Sequence, residues 1–243
     1  MSKIHKALEH AQQERKGLKV LSGAPIHENS TSKHPKYENE HEMIHLYHTI
    51  NSLTQDSKNK VIQFIGSCKG EGTSTLIRDF VRVAASMLDE PVLLLDANRQ
   101  SCHAPFFGIR LDSGLAEVIL KKKPLKEVLY KIENSRLFMG QISLNGEYIT
   151  SIFGSSRIEE VFEELKKEFK LIIIDTPSAD KSTDAIALTR MANGVILVVE
   201  SENTRWQIVN GVKERIIKHH GNILGVILNK RKYYIPEFIY KRL

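Results

Sequence analysis

The chain has 243 residues, of which 41% are hydrophobic, 35 are Lys or Arg and 29 are Asp or Glu, so its formal net charge is +6. This length predicts one ordinary globular domain with an appendage, and only two cysteines exclude a secreted disulfide framework. The apolar runs are far shorter than the roughly 18 residues of a membrane-spanning helix, and no signal-peptide pattern opens the chain. We therefore expect a cytoplasmic protein, whose positive charge suits either an acidic partner or an ordinary solvated surface.

The first 60 residues differ from the rest, because they hold seven of the ten histidines and no strand-like run. Within 1–22, Ile4, Leu8 and Ala11 follow a helical spacing, which predicts a short amphipathic docking helix. The stretch 23–40 is rich in Pro, Ser, Asn and charged residues, so we interpret it as a flexible linker. The remaining residues, 41–243, form the predicted globular domain.

From residue 61 onward, short apolar runs alternate with helical segments. The predicted strands are 61–65, 92–95, 137–140, 171–175, 194–200 and 223–228. The predicted helices are 74–88, 113–120, 156–168, 182–191 and 204–219. Continuous apolar strands joined by helices predict a doubly wound α/β fold with a mostly parallel sheet. Such sheets bind ligands beyond the carboxyl ends of their strands, so we expect functional residues directly after each strand.

The first predicted strand is followed by 66–75 (GSCKGEGTST), which we call the phosphate loop. A glycine-rich turn that opens a helix presents backbone N–H groups and the positive end of the helix dipole to an anion. Against the P-loop pattern G-x-x-x-x-G-K-[ST], Gly72 and Ser74 are in place, and Ser74 could supply a magnesium ligand. Ser67 replaces the first glycine, and Thr73 replaces the lysine.

The missing lysine normally neutralises charge on the transferred phosphoryl group. Loss of one such electrostatic donor costs about 3–4 kcal/mol in the transition state. The backbone of the loop remains, so the sequence predicts nucleotide binding with weak hydrolysis or transfer. Lys69 could fold back over the phosphates and act in catalysis, or it could point to solvent.

Acidic residues end two further predicted strands, namely Asp96 and Asp175. Carboxylates at these strand ends, beside a phosphate loop, are typical of a magnesium–nucleotide site. Helix capping would explain either aspartate alone, although it explains both together less well. Asn229 ends the last predicted strand, where its amide could contact an adenine base or simply belong to a polar turn.

Taken together, these motifs resemble the bacterial tyrosine kinases (BY-kinases) of polysaccharide synthesis. They form a branch of the deviant Walker A (SIMIBI) P-loop NTPases, which also includes the septum-placement and plasmid-partition ATPases. The segment 2–15 is similar to the N-terminus of stand-alone members associated with exopolysaccharide and exosortase gene systems. The resemblance runs from about Glu42 to the C-terminus. It is carried by 69–75 (KGEGTST), 92–109 (VLLLDANRQSCHAPFFGI), 113–119 (SGLAEVI), 169–205 and 223–230 (ILGVILNK).

The resemblance implies roles for individual residues. ATP or ADP would bind with Mg²⁺ held by Ser74, Asp96 and Asp175, and Asp96 would also serve catalysis. Asn229 would contact the adenine. The phosphates would be surrounded by Lys69, Gly70, Glu71, Gly72, Thr73, Ser74 and Thr75.

Several departures from the family pattern affect chemistry or assembly rather than the fold. The lysine of the loop is Thr73, and the second acidic residue after the second strand is Asn98. The Glu-x-x-Arg-x-x-Arg pattern of the family's oligomerisation helix reads Glu42, His45 and His48. Histidine is only partly charged near neutrality, so a homo-oligomer formed through 42–48 would be weaker or pH-dependent. The same three residues also resemble one face of a metal site, without a second cluster to complete it.

The first hypothesis is a nucleotide-binding regulator of exopolysaccharide or capsule biosynthesis and export. It would act at the inner face of the plasma membrane through a membrane-embedded polysaccharide co-polymerase on a separate chain. One alternative is an active autokinase that phosphorylates Tyr233, Tyr234 or Tyr240 in the basic, aromatic tail 230–243; the tail could equally dock on a partner or lipid. Another is a partition-type ATPase that binds DNA. The extra lysine of that family would fall at Cys68, so a nucleic-acid partner is not expected.

Overall fold

The computed structural model describes residues 40–98, 102–120, 122–142, 157–180 and 182–232. The predicted N-terminal helix 1–22, the linker apart from Glu40, and the three tail tyrosines lie outside these residues. Glu40 is already helical, one residue before the predicted boundary of the domain.

The described residues form a seven-stranded sheet in the order β3-β4-β2-β5-β1-β6-β7. Neighbouring strands are parallel except for β3, which runs antiparallel to β4 at one edge. The strands are β1 (Lys60–Gly66), β2 (Val92–Asp96), β3 (Leu129–Lys131), β4 (Leu137–Gln141), β5 (Leu171–Asp175), β6 (Gly194–Glu200) and β7 (Ile223–Asn229).

Helices cover both faces of this sheet. They are α1 (Glu40–Leu53), α2 (Thr73–Met87), α3 (His103–Phe106), α4 (Leu115–Ile119), α5 (Arg157–Glu168), α6 (Asp184–Ala187) and α7 (Trp206–Lys218). Short 3₁₀ turns occur at Leu125–Glu127 and Leu188–Met191. The predicted doubly wound α/β fold is therefore confirmed.

Alternation of side chains along β1 explains the two layers of the core. Ile62 and Phe64 of β1 point to one face, where they pack in the same cluster as the apolar residues of α1 and α2. Val61 packs on the opposite face with residues of α4 and α5, and Ile65 on that face packs with residues of α7. Every residue of β1, β2 and β5 is buried, as expected for strands covered on both sides.

All six predicted strands and the five predicted helical segments are present, with boundaries shifted by a few residues. Three short elements were not predicted, namely the edge strand β3, the single-turn helix α3 and the 3₁₀ turn Leu125–Glu127. Each is too short to show a hydrophobic period. The segment predicted as one helix, 182–191, is divided into α6 and the 3₁₀ turn that follows. Within the described ranges, no helix combines the length and hydrophobicity that crossing a bilayer requires.

Candidate functional site

The carboxyl ends of β1, β2 and β5 meet at one edge of the sheet. Asp96 and Asp175 are the last residues of adjacent parallel strands and lie directly opposite each other in the register. Both are fully buried. The phosphate loop leaves the end of β1 beside them and enters α2 at Thr73. The structure therefore brings the predicted loop and the two predicted aspartates together.

Two glycines give the phosphate loop its shape. Gly70 and Gly72 have φ values of +97° and +83°, in the left-handed region that residues with a Cβ seldom adopt. A Cβ on Gly72 would also lie 2.5 Å from Nδ2 of Asn229. The Gly72 carbonyl accepts a hydrogen bond from the backbone N–H of Leu76 at 3.0 Å, which is the first of the α2 hydrogen bonds. The loop therefore turns sharply into the N-terminus of a 15-residue helix, as an anion-binding loop requires.

The Glu71 side chain holds this loop in place through hydrogen bonds to other parts of the chain. Its side chain is 2% exposed, and its carboxylate accepts hydrogen bonds from the Cys68 backbone N–H at 2.8 Å and from the Thr204 hydroxyl at 2.6 Å. A longer contact of 3.4 Å joins the same carboxylate to the Glu200 backbone N–H. The Glu71 side chain is thus engaged with the protein itself, which leaves its backbone N–H for the predicted phosphate contact.

Asn229 also holds the loop. Its amide Nδ2 donates to the Glu71 backbone carbonyl at 2.7 Å. This contact ties the end of β7 to the phosphate loop and accounts for the close approach to Gly72. An adenine contact by Asn229 stays a prediction, and the amide group has this structural role as well.

Cationic side chains around the loop differ from those expected. Lys69 is exposed and forms no hydrogen bond or ion pair with another described residue. Lys230 was not singled out from the sequence, yet its ammonium donates to the Gly70 carbonyl at 2.6 Å and pairs with the Glu200 carboxylate at 3.1 Å. The Lys230 hydrogen bond is the main reason that the pKa of Glu200 lies below its ordinary value. Its position directly after Asn229 was the available clue.

The carboxylate of Asp175 accepts several hydrogen bonds on the side of the site away from Lys230. Its Oδ2 accepts from the Ser74 hydroxyl at 2.6 Å, from the Asn98 amide at 3.1 Å and from His103 Nε2 at 2.7 Å. Asn98 also donates to Oδ1 of Asp96 through both its backbone N–H and its amide, each at 2.9 Å. We call Asp96, Asn98, His103 and Asp175 the acidic cluster. Asn98 therefore links the two aspartates, in the position where the resemblance implies a second acidic residue after β2.

His103 is a candidate functional residue that the sequence motifs did not single out. It is fully buried at the start of α3, and it contacts Asp175 across the site. A carboxylate only accepts hydrogen bonds, so Nε2 carries the proton and Nδ1 is left unprotonated in the neutral ring. The only sequence signal was a histidine in the loop that follows Asp96, within the segment that carries the resemblance.

Cys102 borders the acidic cluster. Although the residue as a whole is exposed, partial desolvation is the main cause that raises the pKa of its thiol, with smaller effects from nearby Asp96 and Asp175. A hydrogen bond with the Ser74 hydroxyl and the positive charge of Arg78 act in the opposite direction and lower this pKa. The thiol is therefore in contact with the same serine that was predicted to bind magnesium.

Arg78 connects the first turn of α2 to α3. Its guanidinium donates to the Ser74 carbonyl and to the Thr75 hydroxyl, each at 3.2 Å. It also lies over the ring of Phe106, 4.6 Å from the centroid. This cation was not predicted as a site residue, and it orders the start of the helix on which Ser74 lies.

The oxygen donors of the site fit a magnesium ion. Ser74, Asp96 and Asp175 offer hydroxyl and carboxylate oxygens, which are the ligands that Mg²⁺ prefers. Oδ1 of Asp175 is buried and has no hydrogen-bond partner among the described residues, as expected of an atom placed to meet a cation. The three predicted metal ligands therefore offer the type of donor atom that Mg²⁺ prefers, and their metal role stays a prediction.

The alternative metal face on α1 is not supported. Glu42 and His45 are exposed, and His48 packs edge-on against Tyr47 with ring centroids 5.7 Å apart. Among residues that the structure describes, the close group of metal-capable side chains is Asp96, Cys102 and His103.

Comparison with protein families agrees with this geometry. A family model described as an AAA domain matches residues 59–223, which include the phosphate loop and both aspartates. This match covers more than half of the chain.

Relatives and solved structures show which proteins the chain is similar to. Tyrosine-protein kinase YwqD of Bacillus subtilis is 28% identical over 203 residues, covering 82% of this chain and 84% of the relative. The kinase domain of Escherichia coli tyrosine kinase ETK superposes with a TM-score of 0.73 at 20% identity, covering 81% of this chain and 78% of that one. The septum site-determining protein MinD of Pyrococcus horikoshii, solved with Mg-ADP, has a TM-score of 0.59 at 18% identity and covers 76% of each chain. The chain therefore belongs to this AAA-domain family of P-loop NTPases, and the resemblance to the BY-kinases is confirmed.

Proposed function

We propose that this chain binds ATP or ADP with Mg²⁺ at the joint site of the phosphate loop and the acidic cluster, and that it transfers phosphoryl groups weakly. The observation that carries this proposal is the position of Thr73. It begins α2 where a P-loop has its lysine, while Ser74 next to it already contacts Asp175. The site thus has the binding framework and lacks the main cation of the transfer reaction.

The loop backbone supports phosphate binding without that lysine. Gly70 and Gly72 let the chain turn so that successive N–H groups and the N-terminus of α2 face the same side. Glu71 and Asn229 hold this turn through contacts with other parts of the chain. Binding by preformed backbone donors should therefore survive the loss of one side-chain cation.

On the other side, Ser74, Asp96 and Asp175 would hold Mg²⁺. When bound, the ion would neutralise charge on the phosphates. The Ser74 hydroxyl now donates to Asp175 at 2.6 Å, so ion binding requires that this proton turn away. Asn98 would keep the two aspartates at their present spacing through its donors to both.

Three features favour weak transfer. The Thr73 hydroxyl lies 2.8 Å from the place that a Cβ on Gly66 would occupy. This hydroxyl is uncharged, so it does not replace the ammonium of the missing lysine. The Lys230 ammonium is close to the loop, but it already donates to the Gly70 carbonyl and to the Glu200 carboxylate. Asn98 adds no charge where the family has a second acid. Neither lost charge is therefore replaced by a described side chain already directed at the phosphates.

The cellular role follows from the resemblance. We infer that the chain regulates exopolysaccharide or capsule assembly from the cytoplasmic face of the membrane, together with a membrane-embedded co-polymerase. A homo-oligomer could form through the outward face of α1, where Glu42 and His45 are exposed. Partners would then recognise whether the chain has ATP or ADP bound, and rapid ATP turnover would not be needed.

Nucleotide titration of the purified chain, with and without Mg²⁺, tests the proposal. We expect ADP binding that weakens at least several-fold when Mg²⁺ is removed, and we expect Ser74→Ala to remove most of this Mg²⁺ dependence. Ser86→Ala is the matched control, because Ser86 lies near the other end of α2 and, among the described residues, its hydroxyl donates to the nearby Val83 carbonyl. Absence of binding at millimolar ATP and ADP would refute the proposal.

The names of the relatives favour a second candidate, a tyrosine autokinase. Incubation with labelled ATP followed by mass spectrometry would look for phosphate on Tyr233, Tyr234 and Tyr240. If Lys69 replaces the missing lysine, Lys69→Ala should abolish this signal. An unchanged signal in Lys69→Ala would exclude that role of Lys69.

A further inference from the structure

We propose that Asp96, Cys102 and His103 form a binding site for Zn²⁺, distinct in its chemistry from the Mg²⁺ site of the nucleotide. A carboxylate oxygen of Asp96, the Cys102 sulfur and a ring nitrogen of His103 all lie within 4.8 Å of one another. This spacing lets one ion reach all three with small side-chain adjustments. The proposal does not depend on nucleotide binding.

His103 is prepared as a metal ligand. Its Nε2–H donates to Asp175 Oδ2 at 2.7 Å, and both side chains are fully buried. Its Nδ1 is buried and has no hydrogen-bond partner among the described residues. A buried ring nitrogen without a partner is unusual, because lost hydration is not replaced. A carboxylate on one ring nitrogen and a metal on the other is the common arrangement of metal-binding histidines, in which the carboxylate fixes the tautomer.

The donor atoms select the type of metal. Thiolate sulfur and imidazole nitrogen bind Zn²⁺ well, whereas Mg²⁺ prefers oxygen and keeps much of its water. Cys102 and His103 are neighbours in the chain at the start of α3, and Asp96 ends β2. Three protein ligands leave a fourth position for water or another oxygen, as in open rather than closed zinc sites.

Asp96 connects the proposed zinc site to the nucleotide site. It belongs both to the proposed zinc set and to the predicted magnesium set. Asp175 likewise orients His103 and is itself a predicted magnesium ligand. Zn²⁺ and Mg²⁺–nucleotide should therefore compete, so that occupancy of the zinc site lowers nucleotide affinity.

Cobalt(II) titration of the metal-free full chain, without nucleotide, tests the site directly. Cobalt takes the same ligands as zinc, and a thiolate ligand adds a charge-transfer band in the near ultraviolet. The chain has only two cysteines, so the band can be assigned by mutation. We expect one equivalent of cobalt to produce the band, Zn²⁺ to displace it, Cys102→Ser to abolish it, and Cys68→Ser to leave it unchanged.

Two further variants test the part played by His103. Asp175→Asn should weaken Zn²⁺ binding by about 10–100-fold, because it removes the carboxylate that orients the ring. His219→Gln, at an exposed histidine on the end of α7, should have no effect. Cys102→Ser changes an exposed residue and should fold normally by circular dichroism. Absence of the band in the wild type, its persistence in Cys102→Ser, or its loss in Cys68→Ser would overturn the proposal.

Discussion

The phosphate loop and the acidic cluster lie side by side but are stabilised differently. The loop is held through its backbone and by side chains from distant parts of the chain, as when Thr204 and Asn229 reach Glu71. The acidic cluster is held by direct contacts among its own polar side chains, with Asp175 accepting from Asn98 and His103. Asp175 also accepts from Ser74 of the phosphate loop. A lost side chain should therefore affect the two regions in different ways.

This difference shows why substitutions are tolerated unevenly across the site. In the loop, Thr73 can replace lysine because the turn depends on glycine conformation and on Glu71, not on the lysine. In the acidic cluster, Asn98 does more than remove a charge, since its amide joins Asp96 to Asp175. The loop has lost a reactive group, whereas the cluster has gained a stabilising one.

The largest expected effect on stability is that of Glu71→Ala. Glu71 is buried, and this change leaves the partly buried Cys68 N–H and Thr204 hydroxyl without their acceptor. We expect the free energy of unfolding to fall by about 3 kcal/mol. Urea denaturation would measure it, with Glu159→Ala on the exposed side of α5 as a control expected to change it by less than about 0.5 kcal/mol. Equal effects of the two variants would show that Glu71 does not hold the loop.

The substitution Asn98→Asp tests the acidic cluster, and we expect it to have the next largest effect on the free energy of unfolding. The new carboxylate cannot donate to Asp96 and Asp175, and it repels both. Without metal we expect a loss of about 2 kcal/mol in unfolding free energy, which Mg²⁺ should largely restore.

The matched control for Asn98→Asp is Asn210→Asp. The Asn210 amide also donates to a carboxylate, that of Glu214 at 2.8 Å, but on an exposed helix face. There the change should cost about 0.5 kcal/mol or less, without recovery in Mg²⁺. A stabilised Asn98→Asp variant in metal-free buffer would contradict the linking role of Asn98.

The smallest effect concerns Lys230 and the pH. Its hydrogen bond holds the pKa of Glu200 below the ordinary 4.5, so the pair contributes stability above that pH. The contribution is lost as the pH falls through the lower pKa of the folded state. Lys230→Met should therefore raise the pKa of Glu200 in an NMR titration and reduce the loss of stability between neutral pH and about pH 3.

Lys232→Met provides the comparison, because Lys232 contributes only a minor charge effect to the same carboxyl. It should shift the pKa of Glu200 less than Lys230→Met does. A larger shift in Lys232→Met would mean that the Lys230 contact with the loop is not maintained in solution.

Most of the fold and part of the site could be predicted from the sequence. Buried strands and amphipathic helices extend over enough residues to show their periods, and parallel strand ends bring Asp96 and Asp175 together by topology alone. The loop glycines and Ser74 follow a local pattern. These features depend on short-range spacing or on general rules of sheet architecture.

The remaining features depend on contacts between residues distant in the chain. Nothing local indicates that Glu71 turns away from the phosphates toward Thr204, or that Lys230 reaches Gly70. His103 lies on a helix of four residues, too short for any periodic signal, and its role is visible only once β5 places Asp175 against it. Such contacts are set by tertiary packing rather than by sequence spacing.

The central claim is that the site binds nucleotide but lacks the cation needed for efficient transfer. The most direct measurement compares ATP affinity and turnover in the wild type, Thr73→Lys and Lys69→Ala. We predict that Thr73→Lys raises turnover by about a hundred-fold, with affinity changed less than about tenfold, and that Lys69→Ala changes neither. Turnover in the wild type as fast as in Thr73→Lys would contradict the claim.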